Sequence, residues 1–182
     1  AFSVYEIRLS DDLKYQPHPA FARDDEGKLE YHALSKADIS KYYSLNDFLH
    51  TGTRTVTAAD YVYQIKRLVH PAIHTPISGL MSDYIVGLKE YAGTLKKAQQ
   101  ANAGKLLALN DYPLEGVQLV DEHTYRIKVY GKYPQFMYWL AMPFFSPMPV
   151  EAERFYAQEG MQRNNLTLDW WPIGSGPYYL SE

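Results

Sequence analysis

The sequence lacks several features that would assign it quickly to a functional class. It contains no cysteine among its 182 residues, which excludes disulfides, thiolate catalysis and cysteine-based zinc sites. Its longest apolar run, Phe136 to Phe145, is about half the length of a membrane-spanning helix and is interrupted by Pro143. The net charge is −3 and no Lys/Arg cluster stands out, so no nucleic-acid partner is expected.

Motifs for catalysis and metal binding are also scarce. His70 and His74 have the spacing of a helical metal site, but Pro71 breaks the helix that would align them. The adjacent acids lie in turns, where carboxylates are usually solvated, and neither a nucleophile elbow nor a phosphate-binding glycine loop is present. We therefore expect no enzyme, no metal and no cofactor.

Aromatic residues are the unusual component. Tyrosine occurs 17 times, and aromatic residues make up 15% of the chain. Tyrosine combines an apolar ring with a polar tip, so it suits both a core shell and a ligand groove. The pairs Trp170–Trp171 and Tyr138–Trp139 are open to the same two interpretations, stacking on a ligand or filling a core.

The clearest local signal is a helix that starts after Thr57. Thr57 has the residue type of an N-cap and Asp60 occupies the third helical position, which is a variant of the capping box. Apolar residues then recur at helical spacing until Pro71. Upstream, residues 1–10 alternate as a strand, and we expect Phe2, Val4 and Ile7 to reach a core.

The rest of the chain mixes helices with a late hairpin. Residues 76–104 are typical of helix, although Gly87 and Gly93 could split it. Alternation over residues 115–131 predicts a hairpin with a turn at Asp121–Glu122, and two further helices follow. The pattern predicts an α+β fold, a small mixed or antiparallel sheet with packed helices.

The stretch "PIGSGPYYL" near the end suggests a phosphate loop, but its context argues against one. A phosphate cradle needs a helix N-terminus behind its glycines, whereas β-prone residues follow Pro177 here. We expect Gly174 and Gly176 to turn the backbone and Pro177 to lead into a strand from Tyr178 to Leu180.

Two motifs resemble the family 5 extracellular solute-binding proteins, which are the peptide- and nickel-binding receptors of ABC importers. In "RTVTAADYVYQIKRL", Thr57, Ala58 and Asp60 match the family's helix start, whereas Tyr61 departs from its usual valine. "PIGSGPYYL" is similar to the family's Pro-x-Gly-Thr-Gly-Pro-Tyr motif, with Ser175 replacing threonine. The hairpin and apolar helix between them follow the family order, and the resemblance spans Tyr5 to Leu180.

The resemblance implies a two-lobed receptor that closes on its ligand. It further implies that residues 1–170 form the extra domain of the first lobe. Residues 171–182 would then be a linker turn and the start of the strand that returns to the main lobe. Because the chain begins and finishes in apolar segments, we expect it to be a fragment of a longer polypeptide.

The function implied is substrate binding for an ABC importer of peptides or similar solutes, without the full cleft. The expected partners are a peptide or small solute and the transporter's membrane subunits. The receptor would be a monomer, periplasmic or extracytoplasmic, and a lipid could anchor the full-length protein to the membrane. Expected ligand contacts are Tyr138, Phe145 and Ser146. The alternative is a ligand-sensing module of a transcriptional regulator.

Overall fold

The computed structural model describes residues 1–179, and the chain passes three times between two structural units. Unit 1 consists of residues 1–10 and 57–147, and unit 2 of residues 11–56 and 148–179. The α-helices along the described residues are α1 (Lys36–Ile39), α2 (Ala58–Arg67), α3 (Ser78–Tyr84), α4 (Leu88–Ala101), α5 (Phe136–Leu140) and α6 (Val150–Tyr156).

Unit 1 is built on a three-stranded antiparallel sheet. Its strands β1 (Phe2–Arg8), β2 (Val117–Leu119) and β3 (Thr124–Tyr130) lie in the order β1-β3-β2. The predicted hairpin is confirmed as the β2–β3 pair, and in its turn the Asp121 carboxylate accepts a 2.8 Å hydrogen bond from the backbone N–H of His123. Such an Asx contact shapes the turn locally.

The prediction that Phe2, Val4 and Ile7 reach a core is wrong for the first two. Phe2 and Val4 are 55% and 60% exposed, whereas Ile7 belongs to the less exposed set of the strand. Side chains alternate along a strand, so positions two and seven cannot face the same side. The outer face instead carries Phe2, Val4 and Glu6, and Glu6 pairs with Arg126 on β3 at 2.6 Å.

Helix α2 starts as its sequence predicts. The Asp60 carboxylate accepts hydrogen bonds from the Thr57 backbone N–H at 3.0 Å and from the Thr57 hydroxyl at 3.5 Å. Ile65 and Leu68 are each 1% exposed and form the buried stripe of this helix. The cap and the stripe together fix where the helix begins and which face it buries.

Asp60→Ala should destabilise the chain by about 1–2 kcal/mol. The backbone N–H and the hydroxyl of Thr57 would both lose their hydrogen-bond acceptor, the Asp60 carboxylate, at the buried start of α2. Glu90 provides the matched control, since it is an exposed acid in the first turn of α4. Glu90→Ala should change stability by less than about 0.5 kcal/mol. Urea unfolding of both variants measures the difference, and equal effects would contradict the capping role.

The helical region at 76–104 is divided, as the glycines suggested. Helix α3 ends before Gly87, which has a φ of 76° and precedes α4. A left-handed residue of this kind interrupts a helix at little cost only when it is glycine. Gly93, by contrast, is absorbed within α4.

Unit 2 has its own hydrophobic core, in which helix α6 packs against a 3₁₀ turn at Pro19–Phe21. Helix α1 begins with a capping box between Ser35 and Asp38. The buried members of the core are Ala20, Ala22, Tyr31, Ile39, Phe48, Ala152, Phe155, Tyr156, Met161 and Leu166.

The predicted fold class is confirmed, since helices accompany a small antiparallel sheet. The boundary predicted at residue 170 stays a prediction. None of the helices in the described part of the chain is both long and apolar enough to cross a membrane.

Candidate binding pocket

Three segments of unit 2 that are separated in sequence form an apolar pocket of about 290 Å³. The walls are mostly aromatic, proline and aliphatic side chains, with one amide and one imidazole among them. The lining residues are Gln16, Pro17, His18, Leu45, Trp171, Pro172, Ile173 and Tyr179. Apolar walls with a few polar groups are the usual chemistry of small-molecule and peptide side-chain sites.

Gln16 holds the far wall of the pocket in place. Its backbone N–H donates to the Gly174 carbonyl oxygen at 2.9 Å. Its side-chain amide donates to the Gly176 carbonyl at 2.9 Å and also to the carbonyl of Tyr178. One residue therefore binds three carbonyl groups of the glycine-rich segment, which fixes its path beside residues 16–18.

His18 lies beneath the pocket and is 3% exposed. Its Nδ1 accepts a 3.0 Å hydrogen bond from the Ala20 backbone N–H, and its Nε2 lies 2.8 Å from the Tyr156 hydroxyl. Because Nδ1 accepts, the neutral ring carries its proton on Nε2 and donates to Tyr156. The Tyr156 hydroxyl in turn donates to the Trp171 carbonyl oxygen at 2.8 Å.

Burial keeps both His18 and Tyr156 in their neutral forms. Burial, together with the neighbouring charge of His32, lowers the pKa of His18 from 6.5 to about 4. Burial also raises the pKa of the Tyr156 hydroxyl above its ordinary value. Both groups are therefore neutral at neutral pH, and the buried hydrogen bonds between them are fully made.

An ion pair supports the same region. Arg54 binds the Glu151 carboxylate through Nε and Nη2, both at 2.8 Å. Its guanidinium lies 5.3 Å from the ring centre of Tyr15 and 5.5 Å from that of Phe21. Burial alone would raise the pKa of Glu151, but hydrogen bonds and the charge of Arg54 hold it below its ordinary value.

The predicted ligand contacts lie in unit 1. Tyr138 is 73% exposed on α5, and Ser146 is also exposed. Phe145 is only 2% exposed and packs edge-on against Phe136, with ring centres 6.1 Å apart. In this structure Phe145 is a core residue, and the assignment of these three residues as ligand contacts stays a prediction.

The glycine motif differs in detail from its expectation. The chain bends at Gly176 and Pro177, but neither Gly174 nor Gly176 has a positive φ. Tyr178 and Tyr179 are not in a strand, because no ladder partner lies beside them among the described residues. Leu180, the last residue of the predicted strand, lies outside the described residues.

The sequence reasoning missed Gln16, His18 and Tyr156. A signal for His18 exists, since a side-chain acceptor followed by proline is typical of a helical N-terminus, and His18 does cap the turn at Pro19–Phe21. Nothing local marks Gln16 or Tyr156. Within residues 1–179 no group of three or more His, Asp or Glu side chains converges as a metal site.

The fold matches one part of the two-lobed solute-binding proteins. The substrate-binding domain of an oligopeptide ABC transporter from Bacillus anthracis aligns with a TM-score of 0.54 and 15% identity, covering 100% of this chain and 26% of that one. Listeria monocytogenes OppA bound to peptide aligns with a TM-score of 0.54 and 18% identity, covering 99% and 25%.

Sequence comparison also finds oligopeptide-binding proteins as relatives. The chain is 24% identical over 180 residues to the periplasmic oligopeptide-binding protein OppA of Escherichia coli K12, covering 98% of the chain and 28% of the relative. It is 26% identical over 171 residues to OppA of Salmonella typhimurium LT2, covering 91% and 27%.

The resemblance to family 5 solute-binding proteins is thereby confirmed, and both curated relatives are binding proteins. The chain spans less than a third of the length of either of them. No family model matches it.

Proposed function

We propose that this chain is a segment of the substrate-binding component of an ABC importer, with peptides as its ligand class. The observation that carries the proposal is sequence similarity to periplasmic oligopeptide-binding proteins along 98% of the chain. The shared fold supports it, because the chain aligns end to end with one part of such receptors.

The mechanism that fits this class is closure without chemistry. A ligand that contacts two lobes stabilises the closed state by its differential affinity for the closed and open states. The segment contributes a rigid wall to such a receptor and catalyses nothing. The full-length receptor would act outside the cytoplasm as a monomer that delivers peptide to the transporter's membrane subunits. A lipid could anchor it to the membrane. No observation favours the transcriptional-regulator alternative.

Calorimetry tests whether peptide binding requires the receptor-length polypeptide or only this chain. Trialanine and pentaalanine are titrated into a receptor-length polypeptide that carries this chain, and separately into the 182-residue chain alone. We expect micromolar binding by the longer polypeptide. The chain alone should give heats close to those of dilution, because one wall of a clamp lacks the contacts that favour closure.

Glucose and a nickel–histidine complex serve as controls for ligand class. Binding of either, with no peptide response from the longer polypeptide, would contradict the peptide assignment. Micromolar peptide binding by the 182-residue chain alone would instead show that the cleft lies within it.

A further inference from the structure

Two histidines bind the two backbone polar groups of one buried residue. Ala20 is 0% exposed. Its N–H donates to His18 Nδ1 at 3.0 Å, and its carbonyl oxygen lies 2.8 Å from His32 Nε2. A buried peptide group needs both partners, since an unsatisfied one costs free energy. At the turn Pro19–Phe21, the two imidazole rings therefore supply the hydrogen bonds that neighbouring backbone groups would make in a sheet.

The two rings respond differently to a proton. His32 binds a carbonyl oxygen through Nε2, and a protonated ring still donates there. His18 must accept at Nδ1, and a protonated ring would bring its own N–H against the N–H of Ala20. Protonation of His18 thus reverses a required hydrogen bond, in a place where a charge is also poorly solvated.

The same ring is connected to the candidate pocket through its other nitrogen, Nε2. His18 donates to Tyr156, and Tyr156 donates to the carbonyl of Trp171, whose side chain lines the pocket. We propose that neutral His18 is the positioning residue of the pocket, and that protonation of its ring releases Trp171 and reshapes the pocket. This proposal is independent of the proposed peptide ligand, and its test uses the chain without any ligand.

The surroundings of His18 do not offset the added charge. The charge of His32 opposes protonation of His18. The pair Arg54–Glu151 is internally neutralised by its two hydrogen bonds. The titratable and charged groups on the elements packed around His18 are Arg23, His32, Arg54, Glu151, Glu153, Arg154 and Tyr156.

The direction of the pH effect follows from the shift. The pKa of His18 falls from 6.5 to about 4 on folding, through burial and the charge of His32. Unfolded His18 therefore binds a proton at a higher pH than folded His18. Its contribution to stability is present above about pH 6.5 and is lost as the pH falls towards 4.

Fluorine NMR of the fluorotryptophan-labelled chain tests the proposal over about pH 7 to pH 3.5. The resonance of Trp171 should shift with the same midpoint as the His18 ring signals, while the resonance of Trp139, in unit 1, stays in place. Assignments come from single Trp→Phe replacements. In H18Q, which lacks the titrating ring, the Trp171 resonance should be constant over the same range.

Y156F separates positioning from general destabilisation. His18 should still titrate in this variant, but the Trp171 resonance should no longer follow it, because the link between them is removed. A Trp171 signal that ignores the titration of His18 in the unmodified chain overturns the proposal. A joint shift of the Trp171 and Trp139 resonances with loss of far-ultraviolet circular dichroism also overturns the proposal, since that combination reports global acid unfolding.

Discussion

Phe155→Ala should lower the free energy of unfolding by about 3–5 kcal/mol, the range for a fully buried aromatic ring. Phe155 is 0% exposed, and its ring centre lies 5.3 Å from Phe48, 5.6 Å from His18 and 5.0 Å from Tyr156. The substitution removes the ring that all three contact and leaves a cavity. Since folded domains are stable by about 5–15 kcal/mol, such a loss would remove a substantial part of the free energy of unfolding.

Urea unfolding followed by circular dichroism measures this effect. Tyr178→Ala is the matched control, because it also deletes an aromatic ring but at a position that is 89% exposed. That control should change stability by less than about 0.5 kcal/mol. A Phe155→Ala cost below about 1 kcal/mol would mean that the core around α6 can collapse into the space, so the ring would not be its centre.

Much of the fold is predictable because its signals are local. The N-cap of α2 is visible as Thr57 and Asp60, three residues apart, and the break before α4 is visible as Gly87. The alternation of β3 likewise predicts its buried side. Capping, glycine and period-two patterns act within a few residues, so they can be read without knowing the tertiary structure.

The candidate pocket is not predictable in this way, because the contacts that build it are long-range. Gln16 binds a carbonyl 160 residues later in the sequence, and His18 binds Tyr156, 138 residues later. No local pattern encodes such a pairing. The aromatic run at Phe136–Phe145 shows the converse problem, because composition could not distinguish the exposed ring of Tyr138 from the buried ring of Phe145.

Gly116→Ala should destabilise the chain by about 1–3 kcal/mol or more, through overpacking against backbone. A Cβ at this position would lie 2.2 Å from the carbonyl oxygen of Val86 and 2.9 Å from its carbon and nitrogen. Backbone hydrogen bonds hold both Gly116 and Val86 in place. Gly116 accepts a 2.7 Å hydrogen bond from the Lys128 N–H, and Val86 donates to the Lys128 carbonyl at 3.0 Å.

Gly93→Ala is the control that makes this prediction sharp, because it is the same chemical change with the opposite expected sign. Gly93 lies inside α4, and a Cβ there would meet nothing within 4 Å. Alanine favours the helix over glycine, so this variant should gain about 0.5–1 kcal/mol. Urea unfolding of the two variants should therefore give midpoints on opposite sides of the unmodified chain. If both fall on the same side, the close approach at Val86 does not constrain the sheet.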